Sequence, residues 1–162
     1  MRIASVMAVA AAVSLLATMG AAQTLTVKGP DGQQRQFTAD QIAAMPHRSA
    51  QLAGEGGRPA RAYEGVAVTD LLQVVGAPSG KALRGPALAD VVIVKGSDGY
   101  RAAFGIAAMD PGMRQSVPIL ADRNEAGRLD AKEGPFRLVS PDDLRPARSV
   151  RGVVSIEVEP AP

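Results

Sequence analysis

Val91-Val92-Ile93-Val94, four β-branched residues in an unbroken run, is the stretch that most confines the fold. β-branched side chains favour extended backbone, and a run without polar alternation suits a strand covered on both faces. A chain built around such a strand needs a layer on each side of it. Turn signals divide the remainder into short pieces. Leu25-Thr26-Val27-Lys28 alternates as a strand, Pro30-Asp31-Gly32 turns it, and Gln34 to Phe37 returns as its hairpin partner. Thr38 and Gln41 have capping-box spacing and open a short helix, Ile42 to Met45, that Pro46 stops. His47 to Arg61 is polar and Gly-rich, a long loop or a weak strand followed by a loop. Val68, Leu71, Leu72 and Val75 fall at helical spacing, with Gly76 placed as C-cap.

After the central strand, Ser97-Asp98-Gly99 reads as a type I′ turn into Tyr100 to Gly105. Ile106 to Met109 suits a short helix, Pro118 to Ala121 a buried strand, and Asp122 to Gly134 a charged loop. Phe136 to Val139 and Val153 to Val158 supply the last strands. Many short strands with a few short helices give an α+β domain with a mixed β-sheet.

The N-terminal stretch reads as an address. Met1-Arg2 is followed by an apolar run from Ile3 to Met19 and by small residues, Gly20-Ala21-Ala22, before Gln23. That is the layout of a secretory signal peptide cleaved after Ala22. It predicts a periplasmic or secreted single domain over residues 23–162, with no membrane attachment after cleavage. A single arginine precedes the apolar run, so the twin-arginine pair is absent. General secretion threads an unfolded chain, which carries along no cytoplasmic cofactor held only by its fold.

Composition removes much chemistry. With no Cys, there is no disulfide, zinc-thiolate site, iron–sulfur cluster or cysteine nucleophile. One histidine, His47, leaves no multi-histidine metal site. A net charge of +2 and 3% aromatics give no basis for a nucleic-acid partner.

Several motifs form an ordered set: Tyr63-Glu64-Gly65-Val66 before Asp70-Leu71-Leu72, Asp98-Gly99-Tyr100 after a hydrophobic strand, and Leu120-Ala121-Asp122-Arg123. Gly134-Pro135-Phe136-Arg137-Leu138-Val139-Ser140-Pro141 and Ala147-Arg148-Ser149-Val150-Arg151 follow, the latter running into Ile156-Glu157-Val158. In this order the chain resembles the sulfite-oxidase-type molybdopterin-binding domain, in a small, exported, single-domain form. The resemblance spans Thr24 to Val158 and implies the sulfite-oxidase-like molybdopterin-binding fold.

In catalytic members of that family one cysteine thiolate binds molybdenum. Here the corresponding stretch, His47 to Gly57, offers His47, Ser49, Gln51 and Glu55. A soft thiolate is not replaced by hydroxyl or carboxylate without changing metal preference. The resemblance also implies that a run such as Arg148-Ser149-Val150-Arg151 contacts the pterin and its phosphate, with Arg137 nearby. Arg151 stands where lysine is common, and Gly152 where tryptophan is often found. The expectation is therefore a cofactor-free module that binds a small anion or a periplasmic protein. Its candidate contacts are Arg137, Arg148, Ser149 and Arg151. The alternative is a molybdopterin-dependent oxidoreductase with an unusual metal site.

A plainer expectation stands beside each candidate. The arginines pair on the surface with Asp142, Asp143, Asp122 or Glu125, contacts that contribute only about 0–1 kcal/mol when exposed. His47 lies exposed next to Pro46. Tyr100 packs with its hydroxyl bonded, and Asp122, Arg123 and Glu125 sit in a solvated loop.

Overall fold

A computed structural model describes residues 23–161. The signal peptide expected over residues 1–22 lies outside the described residues. Among the described residues, no helix is long and apolar enough to cross a membrane.

The chain builds two sheets where the sequence suggested one. The first contains β1 (Leu25–Lys28), β2 (Gln34–Phe37), β5 (Val91–Gly96), β6 (Arg101–Gly105) and β10 (Val153–Glu159). Its order is β2-β1-β10-β5-β6, and it is mixed because β1 runs parallel to β10 while the other pairs are antiparallel. The second contains β3 (Arg48–Leu52), β4 (Arg61–Ala67), β7 (Ile119–Asn124), β8 (Gly127–Arg128) and β9 (Arg137–Val139). It is antiparallel throughout, ordered β3-β4-β7-β8, with β9 also paired to β7.

The expected β-branched strand is β5, flanked by β10 and β6, with Val92, Ile93 and Val94 all buried. The weak strand after His47 is β3, and residues 53–60 form the loop beyond it. Helix α1 (Ala39–Ala43) starts directly after Thr38, where its capping box fixes it, and ends two residues before Met45. Gln41 N–H donates to Thr38 Oγ1 at 3.2 Å, and Thr38 N–H donates to Gln41 Oε1 at 2.9 Å. Helix α2 (Val68–Gln73) is capped at Val74, two residues before the expected Gly76, where φ is +81° and the chain turns so that Ala77 N–H reaches back to the Leu72 carbonyl at 3.1 Å.

Two local expectations are corrected. Asp98-Gly99 does not form a type I′ turn, since only Gly99 takes positive φ, at +83°. Asp98 Oδ1 instead accepts from Tyr100 N–H at 2.9 Å, a side-chain turn that holds Asp98 in ordinary φ. Nor is Asp122 to Gly134 a loop throughout, because β7 continues to Asn124 and turns into β8.

The main core draws on both sheets and α2. Val27, Val92, Val94 and Ile156 meet Val66, Leu120, Leu138 and Leu71, with Phe136 fully buried among them. On its other face the second sheet carries a smaller cluster: Leu52, Tyr63, Ile119, Ala121 and Val139. Strand alternation sends Leu138 into the first cluster and Val139 into the second. Gly65 marks a register shift between β4 and β7, where a Cβ would lie 2.1 Å from the Leu120 carbonyl oxygen. The glycine in Tyr63-Glu64-Gly65-Val66 is thus needed for the close approach of two strands.

Candidate functional site

Arg137 directly follows the fully buried Phe136, and β9 alternation turns it to the face of the smaller cluster, opposite Ala121 in register. There its side chain is only 4% exposed. A guanidinium in such a place needs a counterion, and Glu133 supplies one: Arg137 Nη1 donates to Glu133 Oε1 at 2.7 Å and to the Tyr63 hydroxyl at 3.1 Å. Tyr63 OH in turn donates to Glu133 Oε2 at 3.1 Å, and Arg61 Nη1 donates to Oε1 at 3.0 Å. Tyr63 and Arg61 share a face because they sit two residues apart on β4. The Arg137 and Arg61 guanidinium carbons lie 5.2 and 5.4 Å from the centroid of the Tyr63 ring.

Burial lowers the Arg137 guanidinium pKa from its ordinary value, while neighbouring Tyr63 and Glu133 act in the opposite sense. Burial likewise raises the Tyr63 hydroxyl, opposed by Arg137, so the hydroxyl stays a neutral donor. Arg137 Nε is buried with no hydrogen-bond partner among the described residues.

This cluster forms the wall of a cavity of about 470 Å³. The 53–60 loop, Arg61, Tyr63, the turn carrying Lys132 and Glu133, and Arg151 complete it. A second cavity of about 250 Å³, lined by Asp98, Tyr100 and Ser149, shares Glu55, Arg137, Pro146 and Arg151 with the first. The first lining carries five cationic side chains (Arg58, Arg61, Lys132, Arg137, Arg151) and three acidic ones (Glu55, Asp130, Glu133), a formal excess of two positive charges.

Of the four residues expected from sequence, Arg137, Ser149 and Arg151 line these cavities. Arg151 is exposed and has no ion-pair or hydrogen-bond partner for its side chain among the described residues. The Ser149 hydroxyl oxygen is engaged internally, accepting from Ser140 N–H at 3.3 Å. Arg148 lies elsewhere. A 3-10 turn over Pro146–Arg148 aims it at Asp143, which it pairs with through two nitrogens, and it stacks 4.4 Å from the Phe104 centroid. Its hydrogen bond to the Asp143 carboxylate holds the Arg148 pKa above its ordinary value. Arg114 pairs with Asp142, the other acid expected near this run.

Sequence reading left out Glu133, Tyr63 and Arg61. The available signal was the i, i+2 spacing of Arg61 and Tyr63, which an extended strand would have placed on one face.

Three further expectations are corrected. His47 is half-buried rather than exposed: Nδ1 contacts the Met45 carbonyl at 2.7 Å and Nε2 contacts Asp122 Oδ1 at 3.0 Å. Asp122 is buried within β7, not solvated, and also accepts from Arg123 Nε at 3.0 Å. Tyr100 is half-exposed, although its hydroxyl is bonded as expected, donating to the Ala147 carbonyl at 2.7 Å. Burial pushes the Asp122 carboxyl up, but the hydrogen bonds from Arg123 and His47 outweigh it and hold the pKa below the ordinary value.

A carboxyl lowered on folding adds stability above its unfolded pKa, about 3.9, and loses it as pH falls through the folded value. Wild type should therefore lose urea resistance more steeply below about pH 4 than Asp122→Asn. Parallel curves of urea midpoint against pH would show that Asp122 makes no such contribution.

No family model matches the sequence, and no curated protein matches it. Among solved structures, the chain is similar to the sulfane dehydrogenase SoxCD from Paracoccus pantotrophus, with a TM-score of 0.64 and 18% identity. The match covers 84% of this chain and 38% of that one. The chain has the sulfite-oxidase-like molybdopterin-binding fold. At 18% identity the likeness establishes this fold and leaves the chemistry to the site.

The residues present do not fit the metal end of a molybdopterin. The larger cavity is lined by carboxylates, guanidiniums and an ammonium, and the chain has no thiolate to offer a soft metal.

Proposed function

We propose that this domain works without the pterin cofactor, as an exported module that binds a small oxyanion in the arginine-lined cavity. Arg151 carries the reading: a solvated guanidinium on the shared wall of two cavities, with no acidic partner among the described residues. Guanidinium presents paired N–H donors that match two oxygens of a phosphate, sulfate or carboxylate. The cationic excess of the lining attracts such a ligand, and concave walls limit its competition with water.

Calorimetric titration of the chain with inorganic phosphate and with sulfate tests the proposal. Arg151→Ala should weaken binding at least tenfold, about 1.4 kcal/mol, within the range for a charge-assisted hydrogen bond. Arg148→Ala should bind as wild type does, because Arg148 is held by Asp143 outside both cavities. Equal binding by wild type and Arg151→Ala, or no binding of either anion to any form, would end this reading.

A further inference from the structure

Glu133 stands where a bound anion would stand. Its carboxylate collects donors from Arg137 at 2.7 Å, Arg61 at 3.0 Å and the Tyr63 hydroxyl at 3.1 Å. These are the groups that hold an oxyanion, converging here on a side chain of the protein itself. The backbone beneath it is fixed. Lys132 and Glu133 N–H groups donate to Asp130 Oδ1 at 2.9 and 3.0 Å, and the Glu133 carbonyl accepts from Gly152 N–H at 3.1 Å. The carboxylate is therefore a tethered group on rotatable bonds, at an effective concentration on the order of millimolar or above.

Its hold on Arg137 is also incomplete. Glu133 takes Nη1 only, and the buried Nε has no partner among the described residues. An unmade hydrogen bond at a buried donor is costly, and an oxyanion with two free oxygens can span Nε and an Nη together.

Resting on the oxyanion reading above, we propose that Glu133 is a displaceable internal counterion that restricts the cavity to oxyanions carrying two or more negative charges. A monoanion that displaces Glu133 restores only the charge it removed, and it gives up translational freedom that the tethered carboxylate never had. A dianion restores that charge and also answers the positive excess that remains when Glu133 is in place. Sulfate and phosphate monoesters share this chemistry; chloride and simple monocarboxylates do not.

The experiment is titration at constant ionic strength, with sulfate as the dianion and acetate as the monoanion. Wild type should take sulfate at least tenfold more tightly than acetate. Glu133→Gln removes the competing charge and keeps a carbonyl oxygen for Arg137. It should tighten sulfate at least tenfold and make acetate binding measurable, and adding Arg151→Ala should cancel the gain. Glu133→Asp keeps the charge but withdraws it by one methylene, so it should show a smaller gain in the same direction. That variant also decides the matter if the glutamine form does not fold. Sulfate binding to wild type that Glu133→Gln and Glu133→Asp leave unchanged or weaken overturns the counterion and leaves the oxyanion reading standing. No sulfate binding to wild type or to either Glu133 variant overturns both.

Discussion

Glu133→Leu should destabilise the domain by about 3 kcal/mol, and Arg137→Met should cost clearly less. The asymmetry follows from what each substitution leaves behind. Without Glu133, a guanidinium whose side chain is 4% exposed keeps only the Tyr63 hydroxyl. Without Arg137, Glu133 keeps both Arg61 and Tyr63, and at 13% exposure it retains some water. Removing one member of a buried pair is expensive because the other charge stays desolvated, whereas replacing both can be nearly neutral. Glu133→Leu/Arg137→Met should accordingly recover most of the loss, which urea denaturation of the four forms of the cycle would show. If the two single substitutions cost the same, Arg137 is not relying on Glu133. Sulfate should also restore part of the stability of Glu133→Leu, since a ligand that binds only the folded state stabilises it by mass action.

The contact between Tyr63 and Glu133 was invisible in the sequence, and the reason is geometric. Tyr63 and Glu133 lie 70 positions apart, and nothing in local spacing says that β4 and the turn before β9 share a face. Arg137 could be singled out only through resemblance, and Glu133, four positions before it, was read as part of a charged loop. Arg148 shows the opposite error. It belongs to the same run as Arg151, yet the 3-10 turn over Pro146–Arg148 separates their directions, one toward Asp143 and the other to the cavities. Elements governed by near neighbours were legible: the Thr38–Gln41 box, the positive-φ turn at Gly76 and the β-branched run of β5. The strand at Asp122 was hidden because a charge usually signals a loop. Here His47, 75 positions away, and Arg123 satisfy the carboxylate, so β7 can carry it into the interior. Long-range pairing overrides local polarity in such places.

Phe136→Ala tests how the core positions the site. Phe136 is fully buried in the main cluster, and its carbonyl accepts from Val153 N–H at 2.8 Å. Leu138 N–H donates to the Val150 carbonyl at 2.8 Å, so residues 136–138 are stitched to the segment that bears Arg151. Truncating a buried Phe costs about 3–5 kcal/mol through lost transfer energy and the cavity left behind. For a domain of this size that should lower Tm by roughly 10–20 °C. The ring also fixes which face of β9 Arg137 occupies, because alternation on a strand ties the two side chains together. Leu72→Ala, in α2 and equally deep in the main core, should cost a similar order of stability without touching that register. At a temperature where both variants are folded, Phe136→Ala should lose at least tenfold in sulfate affinity and Leu72→Ala should lose little. Equal losses would mean that the site depends on overall stability alone. A loss confined to Phe136→Ala would trace the arginine's position to the core side chain beside it.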